Sequence, residues 1–186
     1  MAVIDPTPSS RPPSGGSPLW PGAEELTERL EEEVARAERY ATPLSLLAVL
    51  VENLDEIADA HGRELREQTL AYIAGALSRE LRRFDRVGIP GRSELAIVLP
   101  GADGPRGEMV ARRVLDRLRA IKVEAADHRE PLRISVGLAS FRAGTTAAML
   151  LGRARAAAAR AANGEHAAVT MSLAAQAPAE PPPAPS

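Results

Sequence analysis

The sequence predicts an α+β domain in which one mixed sheet carries helices packed on it. Three observations point there. Helical and strand patterns alternate along the chain. Leu44–Val51 (LSLLAVLV) is an unbroken apolar run of strand length, as expected for a strand buried on both faces. Residues 85–89 and 94–99 form two β-prone runs around Pro90-Gly91, the pattern of a hairpin.

In chain order, residues 24–40 place Leu26, Leu30, Val34 and Ala37 at three- and four-residue spacing, an amphipathic helix that stops before Pro43. The buried strand follows, then a short helix, Leu54–His61, closed by Gly62. Residues 65–81 repeat Leu70, Ile73, Ala74 and Leu77, a long helix. After the hairpin, residues 107–121 carry Val110, Val114, Leu118 and Ile121 on one helical face. Residues 132–139 (LRISVGLA) read as a strand, and residues 145–162 as an Ala-rich helix with Thr145 or Thr146 as N-cap and Gly164 past its end. Residues 167–171 supply a last edge strand. The expected order is α-β-α-α-β-β-α-β-α-β.

The ends differ in kind. Residues 1–22 are rich in Pro, Ser and Gly, and residues 172–186 in Ala and Pro. Both are expected to be disordered, because they offer too little apolar surface to offset chain entropy. Residues 23–171 are expected to fold as one domain.

Composition excludes several classes. The 186 residues contain no cysteine, which removes disulfides, thiolate metal sites and a cysteine nucleophile. A net charge of -2 argues against a nucleic-acid partner. No run suits a membrane span, and the N-terminus lacks the basic start and apolar stretch of a signal peptide, so a cytoplasmic protein is expected. Lys122 is the only lysine and no phosphate-binding loop motif is present. His61, His128 and His166 share no metal-ligand spacing.

Four segments in register carry a family resemblance: RLEEEVARAERYATPLSLLAVL (residues 29–50), NLDEIADAHG (residues 53–62) with the later Leu70 and Ile73, LRRFDRVGIPGRSELAIVLP (residues 81–100), and ISVGLAS (Ile134–Ser140) with Asn163-Gly164 downstream. Together they resemble GGDEF domains, the diguanylate cyclase family. The resemblance implies a nucleotide-cyclase-like fold with a ferredoxin-like βαββαβ core. It also implies an outline of chemistry, in which paired domains join two GTP molecules into cyclic di-GMP with two divalent cations held by acidic residues.

Carried over residue by residue, that chemistry is missing its reacting groups. The family's metal-binding aspartate falls at Leu50, and the next acid of that motif at Glu52. A phosphate-pairing lysine falls at Asp55, the guanine-reading asparagine at Ala58 and the guanine-reading aspartate at Glu67. The signature reads Gly91-Arg92-Ser93-Glu94-Leu95, with Ser93 at a metal-binding acid. A phosphate-binding lysine falls at Ala162. Leucine and serine at the two metal positions offer a hard cation no carboxylate. The expectation is a catalytically inactive signalling domain with no catalytic residue, no metal and no cofactor. Magnesium enters only under the alternative of an active cyclase built on Glu52 and Glu94.

The family's product-binding motif, RxxD five residues before the signature, is matched by Arg82-Arg83-Phe84-Asp85. A guanidinium fork suits phosphate oxygens or a guanine edge, and a carboxylate can accept from guanine N1 and N2. Arg112 or Arg113 lies where the family places a further arginine. The resemblance thus implies cyclic di-GMP at Arg82, Asp85 and Arg113. The bland reading of the same residues is an exposed ion pair of small energetic value. A protein signalling partner, a homodimer and a nucleotide-free interaction module are the remaining expectations.

Overall fold

The computed structural model of the chain describes residues 3–5, 20–125, 128–164 and 169–172. Its elements are β1 (Val3–Asp5), α1 (Ala23–Tyr40), β2 (Leu44–Val51), α2 (Leu54–His61), α3 (Arg63–Glu80), β3 (Arg86–Gly91), β4 (Glu94–Pro100), α4 (Gly104–Arg119), β5 (Lys122–Ala125), β6 (His128–Pro131), β7 (Ile134–Ser140), α5 (Ala147–Ala162) and β8 (Val169–Ser172).

The five-stranded sheet runs β3-β4-β2-β7-β8. β2 pairs antiparallel with β4 and β7, and β8 joins β7 in parallel. The path from β2 through α2 and α3 to the β3–β4 hairpin, then through α4 to β7, is the expected βαββαβ core. β2 lies inside the sheet and its residues are buried apart from the half-buried Leu50, which explains its unbroken apolar run.

The sheet separates two cores. Leu47, Val49 and Val51 of β2 and Leu95, Ile97 and Leu99 of β4 face α3 and α4, with Ile73, Leu77, Val114 and Leu118. Leu46, Ala48, Ala96 and Val98 face the other way, against Leu26 and Leu30 of α1 and Leu150, Ala154 and Ala158 of α5. Each fully buried Leu or Ile contributes about 1.5–3 kcal/mol relative to exposure. The alanine content of α5 has a geometric cause. A Cβ added at Gly137 of β7 would collide with the Ala154 carbonyl oxygen and the Ala158 amide nitrogen, so helix and strand backbones meet there directly.

Several expectations are corrected. A second sheet, β1-β5-β6, stands beside the main one, so the domain has two sheets and not one. β6 (HREP) lacks the alternation that marks a strand, and the alternation of β5 (KVEA) spans only four residues, too few to stand out. β1 lies within residues 1–22, where disorder was expected, and pairs with β5. Trp20 also packs on the core from that segment. The hairpin turns at Arg92-Ser93, with Pro90 and Gly91 inside β3; an edge strand tolerates the proline. α4 starts at Gly104, three residues early, because the Asp103 carboxylate accepts from the Arg106 amide at 3.0 Å and caps it. Thr146 is the N-cap of α5, accepting from the Met149 amide at 3.2 Å. The last strand extends to Ser172. No described helix is long and apolar enough to cross a membrane.

Candidate functional site

The hairpin tip lies against the end of β2. The Val51 amide donates to the Ser93 carbonyl at 2.9 Å. Leu50 stands opposite Glu94 on one side and Ser135 on the other. Glu52 follows, its amide bonded to the Arg133 carbonyl at 2.8 Å and its carboxylate accepting from the Ser135 hydroxyl. The structure therefore gathers Leu50, Glu52, Ser93 and Glu94, the four positions at which the resemblance places or approaches metal ligands.

Their chemistry does not suit a divalent cation. Leu50 puts a half-buried isobutyl group between the two acids, and Ser93 Oγ is buried without a hydrogen-bond partner among the described residues. Glu94 is already neutralised. Arg155 of α5 donates Nε to Oε1 at 2.7 Å and Nη2 to Oε2 at 3.0 Å. That hydrogen bonding raises the pKa of Arg155 above its ordinary value, against a smaller opposing effect of burial and with the Glu94 charge adding to the rise. Among the described residues, no three His, Asp or Glu side chains gather closely enough to hold a metal.

Most of the surrounding positions are engaged by contacts within the chain. Asp55 faces Arg66, Oδ1 to Nε at 4.0 Å, and Arg66 also donates to the Arg92 carbonyl. The Arg92 side chain and Gly91 leave the tip open, Arg92 exposed and Gly91 half-buried beside Glu94. Leu95 enters the core. Ala58 lies within α2, its carbonyl accepting from the Gly62 amide that closes the helix, at 2.8 Å. Glu67 on α3 is exposed and pairs with Arg63 at 3.5 Å. Asn53, only 1% exposed, ties the loop after β2 to β6 and to Arg133, the residue before β7. It donates to the Pro131 carbonyl at 3.0 Å and to Glu130 at 3.2 Å, and accepts from the Arg133 amide at 2.9 Å.

Arg82 and Asp85 form a separate feature at the end of α3. The Asp85 carboxylate accepts from the Arg82 amide at 2.7 Å and the Asp85 amide donates to the Arg82 carbonyl at 3.0 Å, closing a tight turn. The turn leaves Arg82, Arg83 and Phe84 exposed, Phe84 at 68%. A cleft of about 440 Å³ opens beside it, lined by Trp20, Arg29, Arg82, Arg83, Asp85 and Arg86, among others. Arg113 is not in that lining. It donates to the Glu80 carbonyl at 2.8 Å and lies 3.9 Å from the Glu80 carboxylate. The structure brings Arg82 and Asp85 together and ties Arg113 to the last residue of α3.

The family description "Diguanylate cyclase, GGDEF domain" matches residues 22–167. The chain belongs to the GGDEF family. Among curated proteins, this GGDEF domain is 34% identical over 125 residues to the diguanylate cyclase DgcP of Pseudomonas aeruginosa, covering 65% of this chain and 18% of that protein. It is 32% identical over 112 residues to the diguanylate cyclase DosC of Escherichia coli K12, covering 60% of this chain and 24% of that protein. The match thus spans about a fifth to a quarter of those relatives. The GGDEF domain of DgcB from Caulobacter crescentus, solved with c-di-GMP, superposes with a TM-score of 0.77 at 17% identity, over 87% of this chain and 98% of that one. The diguanylate cyclase SiaD of Pseudomonas aeruginosa, solved with its activator SiaC, superposes with a TM-score of 0.74 at 28% identity, over 82% of this chain and 58% of that one.

Three residues at these features of the GGDEF domain are given no settled role by sequence reasoning. Arg155 is one arginine in an alanine-rich helix, and its partner lies 61 positions away. Arg66 looks like any exposed helix charge until the fold sets it under the hairpin. Trp20 falls in the N-terminal segment expected to be disordered, and a lone aromatic there leaves anchoring to the domain and anchoring to a partner equally open until the structure packs it on the core. No local signal marks the first two. For Trp20, a large aromatic beside Pro21 immediately before a helix was the available clue.

Proposed function

We propose that this GGDEF domain is a non-catalytic signalling module that binds cyclic di-GMP through Arg82 and Asp85. The observation that carries it is the contrast between the two regions. At the hairpin tip the acid that remains in the signature, Glu94, is closed by Arg155. At the Arg82–Asp85 turn a cleft stands open beside exposed guanidinium groups.

The divalent cations of the family have no suitable ligand set here, so no catalytic step is assigned. Leu50 and Ser93 supply no carboxylate, and the Glu52 and Glu94 carboxylates are both engaged by the chain's own donors. The two guanine-reading positions hold Ala58 and an outward Glu67 paired with Arg63.

At the turn, Arg82 and Arg83 have no ion-pair partner among the described residues. Their forks match phosphate oxygens. Asp85 spends one carboxylate oxygen on the Arg82 amide and keeps the other for the N1 and N2 hydrogens of guanine. The likeness to a DgcB domain solved with c-di-GMP supports the fold's suitability for such a ligand. The likeness to SiaD, solved with an activator protein, supports a second reading in which the exposed turn around Phe84 docks a protein partner.

Calorimetric titration of the purified chain tests the proposal, with cyclic di-GMP in one run and GTP plus magnesium in the other. Micromolar or tighter binding of cyclic di-GMP, lost in Arg82→Ala, is expected. Conversion of GTP to cyclic di-GMP, abolished by Glu94→Ala, would replace this reading with the active cyclase. Silence with both ligands would leave the interaction module.

A further inference from the structure

We infer that Trp20 is the base-stacking wall of the Arg82–Asp85 cleft, so that one aromatic ring upstream of the domain's first helix sets the affinity for the ligand. This inference rests on the cyclic di-GMP reading above and adds to it a residue outside the arginine–aspartate motif.

Trp20 lines the same cleft as Arg82, Arg83 and Asp85. It is half-buried and rests on the core. Its position is fixed by the backbone next to it: the Ile89 amide of β3 donates to the Pro21 carbonyl at 2.9 Å, which stitches this segment to the free edge of β3. Pro21 itself restricts the chain immediately after the ring. A half-buried, anchored indole that lines the cleft loses little freedom when a ligand stacks on it.

The cleft then carries three kinds of recognition in one place. Arg82 and Arg83 supply cationic forks for phosphate. Asp85 supplies an acceptor that distinguishes guanine, which offers N1 and N2 hydrogens, from adenine, which does not. Trp20 supplies a π-face, which favours any purine and strengthens binding without choosing between bases. The roles separate by experiment, because Trp20 governs affinity for purine dinucleotides in general and Asp85 governs the choice among them.

Trp20 is the only tryptophan in the chain, so emission excited selectively beyond the absorption of Tyr40 and Tyr72 reports on this site alone. Titration with cyclic di-GMP is expected to quench it along the same isotherm that calorimetry gives. Trp20→Ala is expected to weaken binding about tenfold or more, and Trp20→Phe to keep most of the affinity. Cyclic di-AMP, a weaker ligand, should lose a similar factor in Trp20→Ala, whereas Asp85→Ala should narrow the preference for guanine. Thermal melting of Trp20→Phe confirms that the fold is retained. If wild type binds by calorimetry while its fluorescence does not move and Trp20→Ala binds equally well, the role of Trp20 is overturned and the receptor reading stands. If calorimetry detects no cyclic di-GMP binding, both fall together.

Discussion

Arg155 holds both carboxylate oxygens of Glu94, joining α5 to the first residue of β4 across a sequence separation of 61. The pair is unequal in its surroundings: the Glu94 side chain is 13% exposed and that of Arg155 44%. The acid therefore depends on its partner more than the arginine does. The fork geometry gives two charge-assisted hydrogen bonds, which a single ammonium group would not reproduce.

Removing the guanidinium should leave Glu94 largely enclosed and uncompensated. Arg155→Ala is expected to destabilise the domain by about 1 kcal/mol, a figure kept small because the arginine is partly in water. Urea denaturation of Arg155→Ala, Glu94→Gln and the double variant checks it. The double variant should lose less than the sum of the singles. Because the pKa of Arg155 is raised on folding, its contribution is complete below the ordinary arginine range and disappears only as pH rises through the raised value. Titration of Arg155 should therefore leave the difference between wild type and Arg155→Ala unchanged from neutral to mildly alkaline pH.

Magnesium or manganese should leave the melting temperature of the wild-type chain unchanged, and neither should support GTP turnover. A metal-dependent rise in melting temperature would show that Glu52 and Glu94 can be drawn away from Ser135 and Arg155 to bind a cation, contrary to the geometry.

At the other feature, Arg82→Ala should lower cyclic di-GMP affinity by at least tenfold while leaving the circular dichroism spectrum and melting temperature near wild type, since its side chain is exposed. Asp85→Ala should do both things: weaken binding, and cost about 1 kcal/mol by removing the acceptor of the Arg82 amide. Equal affinity in Arg82→Ala would remove the motif from ligand recognition.

Asn53 should matter to stability more than its type suggests. Asn53→Ala strips a buried loop of three side-chain hydrogen bonds and is expected to cost about 2–3 kcal/mol, read by denaturant unfolding. Asn53→Asp should also destabilise, because the carboxylate cannot donate to the Pro131 carbonyl.

The parts that were legible in the sequence were those with strong local patterns. β2 announces itself because it is covered on both faces. α1 and α4 show apolar stripes because each lies on the sheet by one side. β5 and β6 stayed hidden because four-residue strands with charged residues are too short to show a pattern: of the described side chains β5 buries only Val123, and the rest of their hold is pairing between strands. The candidate site divides in the same way. Arg82 and Asp85 are three residues apart and readable as a motif. Leu50 and Glu94 were each visible, but their opposition across two strands, and the arginine that reaches them from α5, exist only once the chain is folded.

The seam at Gly137 reaches further than packing. Ala154, whose carbonyl oxygen presses on that glycine, is the residue before Arg155. The distance between helix and strand backbones at this point therefore sets where the guanidinium is delivered. Any side chain at position 137 would lift α5 and pull the fork away from Glu94. A substitution between two uncharged residues, buried and remote from solvent, would then be felt at the hairpin tip as an unbalanced negative charge.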